Sequence, residues 1–141
     1  MNRSPALFAV CFTAGALGAL VNSLAAHYAG SLGLFGLLGV KLHPPLTLAW
    51  LYPRLVWGGL WGLAYFFTIG RVRTRRHWVR KGLWVSLLPT AVQLTIIFPN
   101  FTSHGMFGLG LGTLAPLAVL LLNGIWGLFT GIFTRAFWGR G

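Results

Sequence analysis

The stretch Arg71-Val72-Arg73-Thr74-Arg75-Arg76-His77-Trp78-Val79-Arg80-Lys81 stands between two long uncharged apolar runs, residues 55–69 and 83–98. The chain has no aspartate or glutamate, against eleven arginines and lysines, so the six basic side chains of this stretch have no side-chain carboxylate to pair with. Surfaces that face water mix both signs of charge. A chain that is 56% apolar, with its charges gathered between uncharged stretches, has instead the composition of a protein embedded in a bilayer.

Two further apolar runs flank the first pair, residues 5–26 and about 114–133. A span needs about 20 residues, so 141 residues hold four helices with short connections. The second run reaches that length only with Leu51 and Tyr52, and the third only with Asn100 and Phe101. The run after Arg3 is longer than the ~7 to 15 apolar residues of a secretory leader and reads as a retained first helix. Crossing four times puts Arg3, the six central charges, Arg135 and Arg140 on one side, and leaves Lys41, and Arg54 if it lies near the interface, on the other. By the positive-inside rule both termini and the central loop are then cytoplasmic. A compact chain with this charge bias suits a bacterial inner membrane.

The two halves resemble each other. Val21-Asn22 matches Val92-Gln93, Leu34-Phe35-Gly36-Leu37 matches Met106-Phe107-Gly108-Leu109, Pro44 matches Pro116, and Gly59-Leu60-Trp61-Gly62-Leu63 matches Gly124-Ile125-Trp126-Gly127-Leu128. The expected fold is an all-α integral membrane protein with about four transmembrane helices, arranged as two parallel two-helix repeats (residues 1–70 and 83–141) around a basic cytoplasmic loop (71–82). Between the spans of each half lies a glycine-rich apolar piece, residues 32–40 and 106–114, too short to cross ~30 Å of hydrocarbon as a helix and read as re-entrant or interfacial. The small-xxx-small pairs Ala14/Gly18, Gly58/Gly62 and Gly127/Gly131 mark helix-packing faces. Trp61 and Trp126 sit deep in their spans and correspond across the repeat, which points to a core contact.

The missing carboxylates exclude Asp/Glu proton relays, paired-carboxylate catalysis and carboxylate metal sites. Cys11 is the single cysteine. His27, His43 and His104 fall on the outer side without metal-ligand spacing, so no catalytic residue, cofactor or metal site is expected. Asn100-Phe101-Thr102 matches a glycosylation sequon, which matters only in a secretory-pathway membrane. Arg71, Arg73, Arg75, Arg76, Arg80 and Lys81 are candidates for contact with anionic phospholipid or an acidic partner, each worth about 1 kcal/mol of attraction at an anionic leaflet. A short loop against the membrane is a poor fit to nucleic acid.

Arg54 follows Pro53 between two apolar stretches. If it caps the outer end of the second helix, its guanidinium snorkels to headgroup phosphate and little depends on it; if residues 46–51 continue into the bilayer, it is a buried charge that must be met by backbone carbonyls, water or an external anion. The first functional expectation is a non-enzymatic accessory or scaffold subunit of a membrane complex, bound to anionic lipid and to a partner subunit or further copies of itself. The alternative is a small transporter or channel for an anionic or neutral solute, with Arg54 on the path.

Overall fold

The computed structural model describes residues 4–37, 39–40, 46–69, 77–101, 105, 109–110 and 112–138. The described residues form helices and no strand: α1 (Ser4–Ser31), α2 (Leu34–Leu37), α3 (Leu48–Ile69), α4 (Trp78–Val85), α5 (Leu87–Val92), a π-helix (Gln93–Ile97), α6 (Phe98–Phe101) and α7 (Ala115–Trp138), joined by turns. Three helical stretches, Pro5–Ser31, Trp78–Asn100 and Ala115–Trp138, are long and apolar enough to cross a membrane. That is consistent with an integral membrane protein. It meets the four-span expectation for three of the four runs. The helix of the other run, α3, has 22 residues but carries Arg54, Pro53, Tyr52 and three tryptophans.

Helix α1 is central, with α3 on one flank and α7 on the other. Its small residues explain how both neighbours fit: Ala14, Gly15, Gly18, Ala19, Ser23 and Ala26 are all buried. In lipid, helices are held by close packing rather than by expulsion of water, and small side chains let backbones approach. Gly15 lies against Gly58 and Gly62 of α3, and Gly18 against Trp126 and Thr130 of α7. The Trp126 indole N–H donates to the Gly15 carbonyl at 3.0 Å. Helix α7 meets α4 through a matching contact, Gly127 against Gly82, with Gly131 beside Trp78. Rising numbers on one helix meet falling numbers on the other at each seam, so α3 and α7 run antiparallel to α1, and α4 antiparallel to α7.

The run that begins at Trp78 is a chain of short helical pieces, for local reasons. Pro89 has no N–H for the Val85 carbonyl, and Pro99 none for Thr95. The Ser86 hydroxyl donates to the Leu83 carbonyl at 2.6 Å and the Thr90 hydroxyl to the Ser86 carbonyl at 2.8 Å, back-bonding that bends helices. Between the prolines the Phe98 N–H bonds the Gln93 carbonyl, five residues back, which is the π pattern. The helix also starts earlier than the sequence expects. With His77 in a left-handed conformation (φ 54°), α4 opens at Trp78 and takes Arg80 and Lys81 into its first turn. The Tyr65 hydroxyl donates to the Trp78 carbonyl at 2.8 Å and Lys81 Nζ to the Thr68 carbonyl at 2.9 Å, tying α3 to α4 at this end.

At the opposite end Phe35 and Val40 pack with Leu94, Phe98, Ala115, Ala118 and Val119. Gly112, at φ 149°, sits directly on the backbone of Gly39 and Val40, so the two glycine-rich segments touch there. Large apolar side chains face outward all round, among them Leu37 (84% exposed), Phe67 (79%) and Trp84 (64%). A surface of this kind suits acyl chains rather than water.

Candidate functional site

The antiparallel register of α1 and α3 brings Arg54 beside two polar residues 31 and 32 positions earlier. Arg54 Nε donates to the Ser23 hydroxyl at 2.9 Å, Nη2 donates to the Asn22 amide oxygen at 3.1 Å, and the guanidinium lies 4.6 Å from the centroid of the Trp50 ring. At 1.5 Å per residue, Arg54 is about 9 Å below the start of α3, and its partners are about 12 to 14 Å below the end of α1. This depth exceeds that of an end cap. Helix α3 begins at Leu48 and continues through Pro53, so residues 48–51 are helical and not a loop before it.

The groups that meet Arg54 are a hydroxyl, an amide and an aromatic face. Each solvates the cation, a hydrogen bond to a charged group being worth about 1.5 to 3 kcal/mol and a cation–π contact about 0.5 to 2. None neutralises it. The edge of the guanidinium made by Nε and Nη2 is used on Ser23 and Asn22, whereas the Nη1–Nη2 edge has no hydrogen-bond partner among the described residues.

Arg54 lines a cavity of about 620 Å³ enclosed by α1, α3, α7 and the α5–π segment. Its polar members are Arg54, Asn22, Gln93 and Asn123; Trp57, Trp61 and Trp126 supply aromatic wall. Asn123 is itself held, its Nδ2 lying 3.0 Å from the Thr90 hydroxyl and 3.4 Å from Gln93 Oε1. The cavity therefore offers one cation, oriented amides and apolar walls, in a chain without an acidic side chain. It can bind an anion or a polar group. It presents no nucleophile beside a base.

The other residues singled out from the sequence lie elsewhere. Gly18, Gly58, Gly62, Gly127 and Gly131 are all at close helix contacts; a Cβ at Gly62 would overlap the Cys11 carbonyl, and one at Gly58 the Cβ of Ala19. Arg71, Arg73, Arg75 and Arg76 fall outside the described residues, as do His43 and His104. Arg80 is exposed and shares a hollow of about 550 Å³ with His77, Trp78 and Arg135. Lys81 is occupied by Thr68. His27 packs edge-on to Tyr28, their ring centroids 5.2 Å apart, and no group of three His or Cys residues gathers among the described residues.

Sequence reasoning singled out Arg54 but missed Ser23, Trp50 and Asn123, and read Asn22 and Gln93 only as a repeat match. The usable signal was polarity inside an apolar span: amides and hydroxyls at membrane depth face the bundle interior and pair with one another. Set beside protein-family models, curated proteins and solved structures, the chain yields no match.

Proposed function

We propose that this is a small, non-enzymatic polytopic membrane protein that binds an anionic solute in the Arg54 cavity and carries it across or within the bilayer. The observation that supports this reading is a cation about 9 Å inside a helix, solvated by neutral groups only, at the wall of a cavity large enough for a ligand. A charge at the centre of a span costs about 2.5 to 3.5 kcal/mol even on lenient scales, so such a residue is a functional hypothesis by default.

In this reading α3 is a fourth span. Its 22 residues reach about 33 Å, enough for the ~30 Å hydrocarbon core. The two halves are parallel repeats with both termini and the basic loop in the cytoplasm of a bacterial inner membrane. The matched glycine seams favour the duplication: Gly62 meets Cys11 and Gly15, Gly127 meets Gly82 and Ser86, and each contact keeps the sequence offsets of the repeat. The outer glycine segments are then the interfacial pieces above the cavity.

The test is uptake by sealed liposomes containing the purified protein, with short-chain and long-chain carboxylates, phosphate and chloride offered in turn. Uptake of at least one anion, abolished by Arg54→Gln in a protein that still elutes as a folded particle, is the expected result. Equal uptake by wild type and variant would remove Arg54 from the path and the reading with it.

A second reading, an accessory or scaffold subunit held to anionic lipid and a partner membrane protein, is favoured by the hollow between Arg80 and Arg135, two cations from different helices beside Trp78. Here Arg80→Gln with Arg135→Gln should weaken retention of an anionic phospholipid on the order of tenfold. The effect should fade with salt, since the Debye length is near 10 Å at about 0.1 M. Native mass spectrometry reads the retention directly, and unchanged retention at low salt would assign the hollow no lipid.

A further inference from the structure

We infer that the occupant of the Arg54 cavity is a membrane-resident, single-chain amphiphile, a long-chain carboxylate whose headgroup meets Arg54 and whose chain lies between α3 and the π-helix. This rests on the reading of the cavity as an anion site and adds the ligand's chemistry and its route.

The charge argument fixes the headgroup. One guanidinium edge, with one N–H from each Nη, matches the two oxygens of a carboxylate in a bidentate pair. A single negative charge leaves the pair neutral in a medium of low dielectric. A phosphate monoester, at about −1.5 to −2, would leave charge over with no second cation on the cavity wall among the described residues to meet it.

The walls fix the rest of the molecule. Away from its few polar atoms the cavity is faced by Pro53, Trp57 and Trp61 on α3, and by Pro89, Ile96 and Ile97 on the opposite side. A volume of about 620 Å³ is of the size that holds drug-like ligands, far larger than a small inorganic anion fills. A hydrated ion would leave these side chains without contacts, whereas an alkyl chain covers them.

The route follows from what the walls do not do. Helix α3 packs along α1 and is tied to α4 at one end by Tyr65 and Lys81, but it does not close against the α5–π segment across the cavity. The opening runs between helices, and the side chains at its lips, Trp57 (61% exposed), Ile96 (48%) and Ile97 (39%), face outward where acyl chains would lie. A ligand already dissolved in the bilayer slides in sideways without crossing a polar vestibule.

The test uses the full chain in nanodiscs of phosphatidylcholine, with stearate carrying a nitroxide at mid-chain as probe and the immobilised fraction read by electron paramagnetic resonance. Expected is a saturable immobilised component, displaced by unlabelled stearate but not by methyl stearate or acetate. Arg54→Gln should weaken it at least about tenfold, as loss of a charge-assisted bidentate pair implies. Ile96→Trp, which narrows the mouth and leaves Arg54 alone, should do the same, and it carries the test if the arginine variant does not fold. Displacement by acetate or phosphate as effective as by stearate would overturn the amphiphile and leave the anion site standing. Displacement by methyl stearate with no effect of Arg54→Gln would sink both. Binding that needs Arg54 but ignores Ile96→Trp would overturn the placement of the chain in the groove.

Discussion

Replacing Gly127 with alanine is expected to cost about 3 kcal/mol or more, whereas the same replacement three residues earlier, Gly124→Ala, is expected to stabilise the protein by up to about 1 kcal/mol. Both glycines are in α7, and alanine is the better helix former at each. They differ in what a new methyl group meets. At Gly124 nothing stands within 4 Å, while at Gly127 the methyl would overlap the carbonyl of Gly82, with the Cβ of Ser86 at 3.0 Å. The obstructing atoms are backbone and cannot rotate away, so α7 and α4 must separate and the seam that also holds Gly131 against Trp78 opens with them. Total stabilities are only about 5 to 15 kcal/mol, so the loss is a large share of the whole. Unfolding of the two variants in mixed micelles, followed by circular dichroism, measures both. Equal stability would mean that α4 and α7 are not in backbone contact at this position.

Arg54→Met should separate stability from function. In the proposed reading the wild-type protein carries the cost of a cation at membrane depth, offset by Ser23, Asn22 and Trp50. Methionine fills similar volume and removes that cost. Buried charges replaced by apolar groups of similar size often leave stability unchanged or improved. The two released partners are on α1, where the serine hydroxyl can turn to a carbonyl of its own helix and Asn22 remains at the cavity wall. The expected thermal midpoint is therefore equal to or above that of the wild type, while anion binding falls at least about 100-fold, or roughly 3 kcal/mol. A residue kept for structure gives the opposite pattern, a lower midpoint with binding intact in the surviving folded fraction. Thermal unfolding and ligand titration on one preparation decide between them.

The membrane character of the chain was legible because charge in it is confined to a few places, and the apolar runs between them had nothing else to be. Their ends were less legible. Pro53 and Arg54 look like a boundary, and by local rules they should be one. The helix nevertheless begins five residues before the proline, where Leu48 and Leu51 extend the apolar stretch. Arg80 and Lys81 look like loop because they belong to a run of positive charge, yet they form the first turn of α4, where Lys81 reaches the last turn of α3 through the Thr68 carbonyl. Arg54 could be singled out from the sequence, since an arginine between apolar stretches is conspicuous. Its partners were less legible, because Ser23 and Asn22 are joined to it by the register of two antiparallel helices, set by the contacts of Gly15 with Gly58 and Gly62. Glycine spacing identifies a packing face but not the neighbour that fills it.

The run of helical pieces from Trp78 onward gives the groove one stiff wall and one that can yield. Helix α3 is continuous and clamped to α1 along its glycines, so it resists displacement along its whole length. The opposing wall is jointed at Ser86 and again through residues 93–97, where prolines and wide π-type hydrogen bonds have already surrendered the regular ladder. In the proposed reading, widening at the lips would fall on these joints rather than on the backbone contact between Gly82 and Gly127. The continuous helices then form a frame and the jointed run a panel beside it, so passage of a ligand would not require the glycine seams of the frame to part.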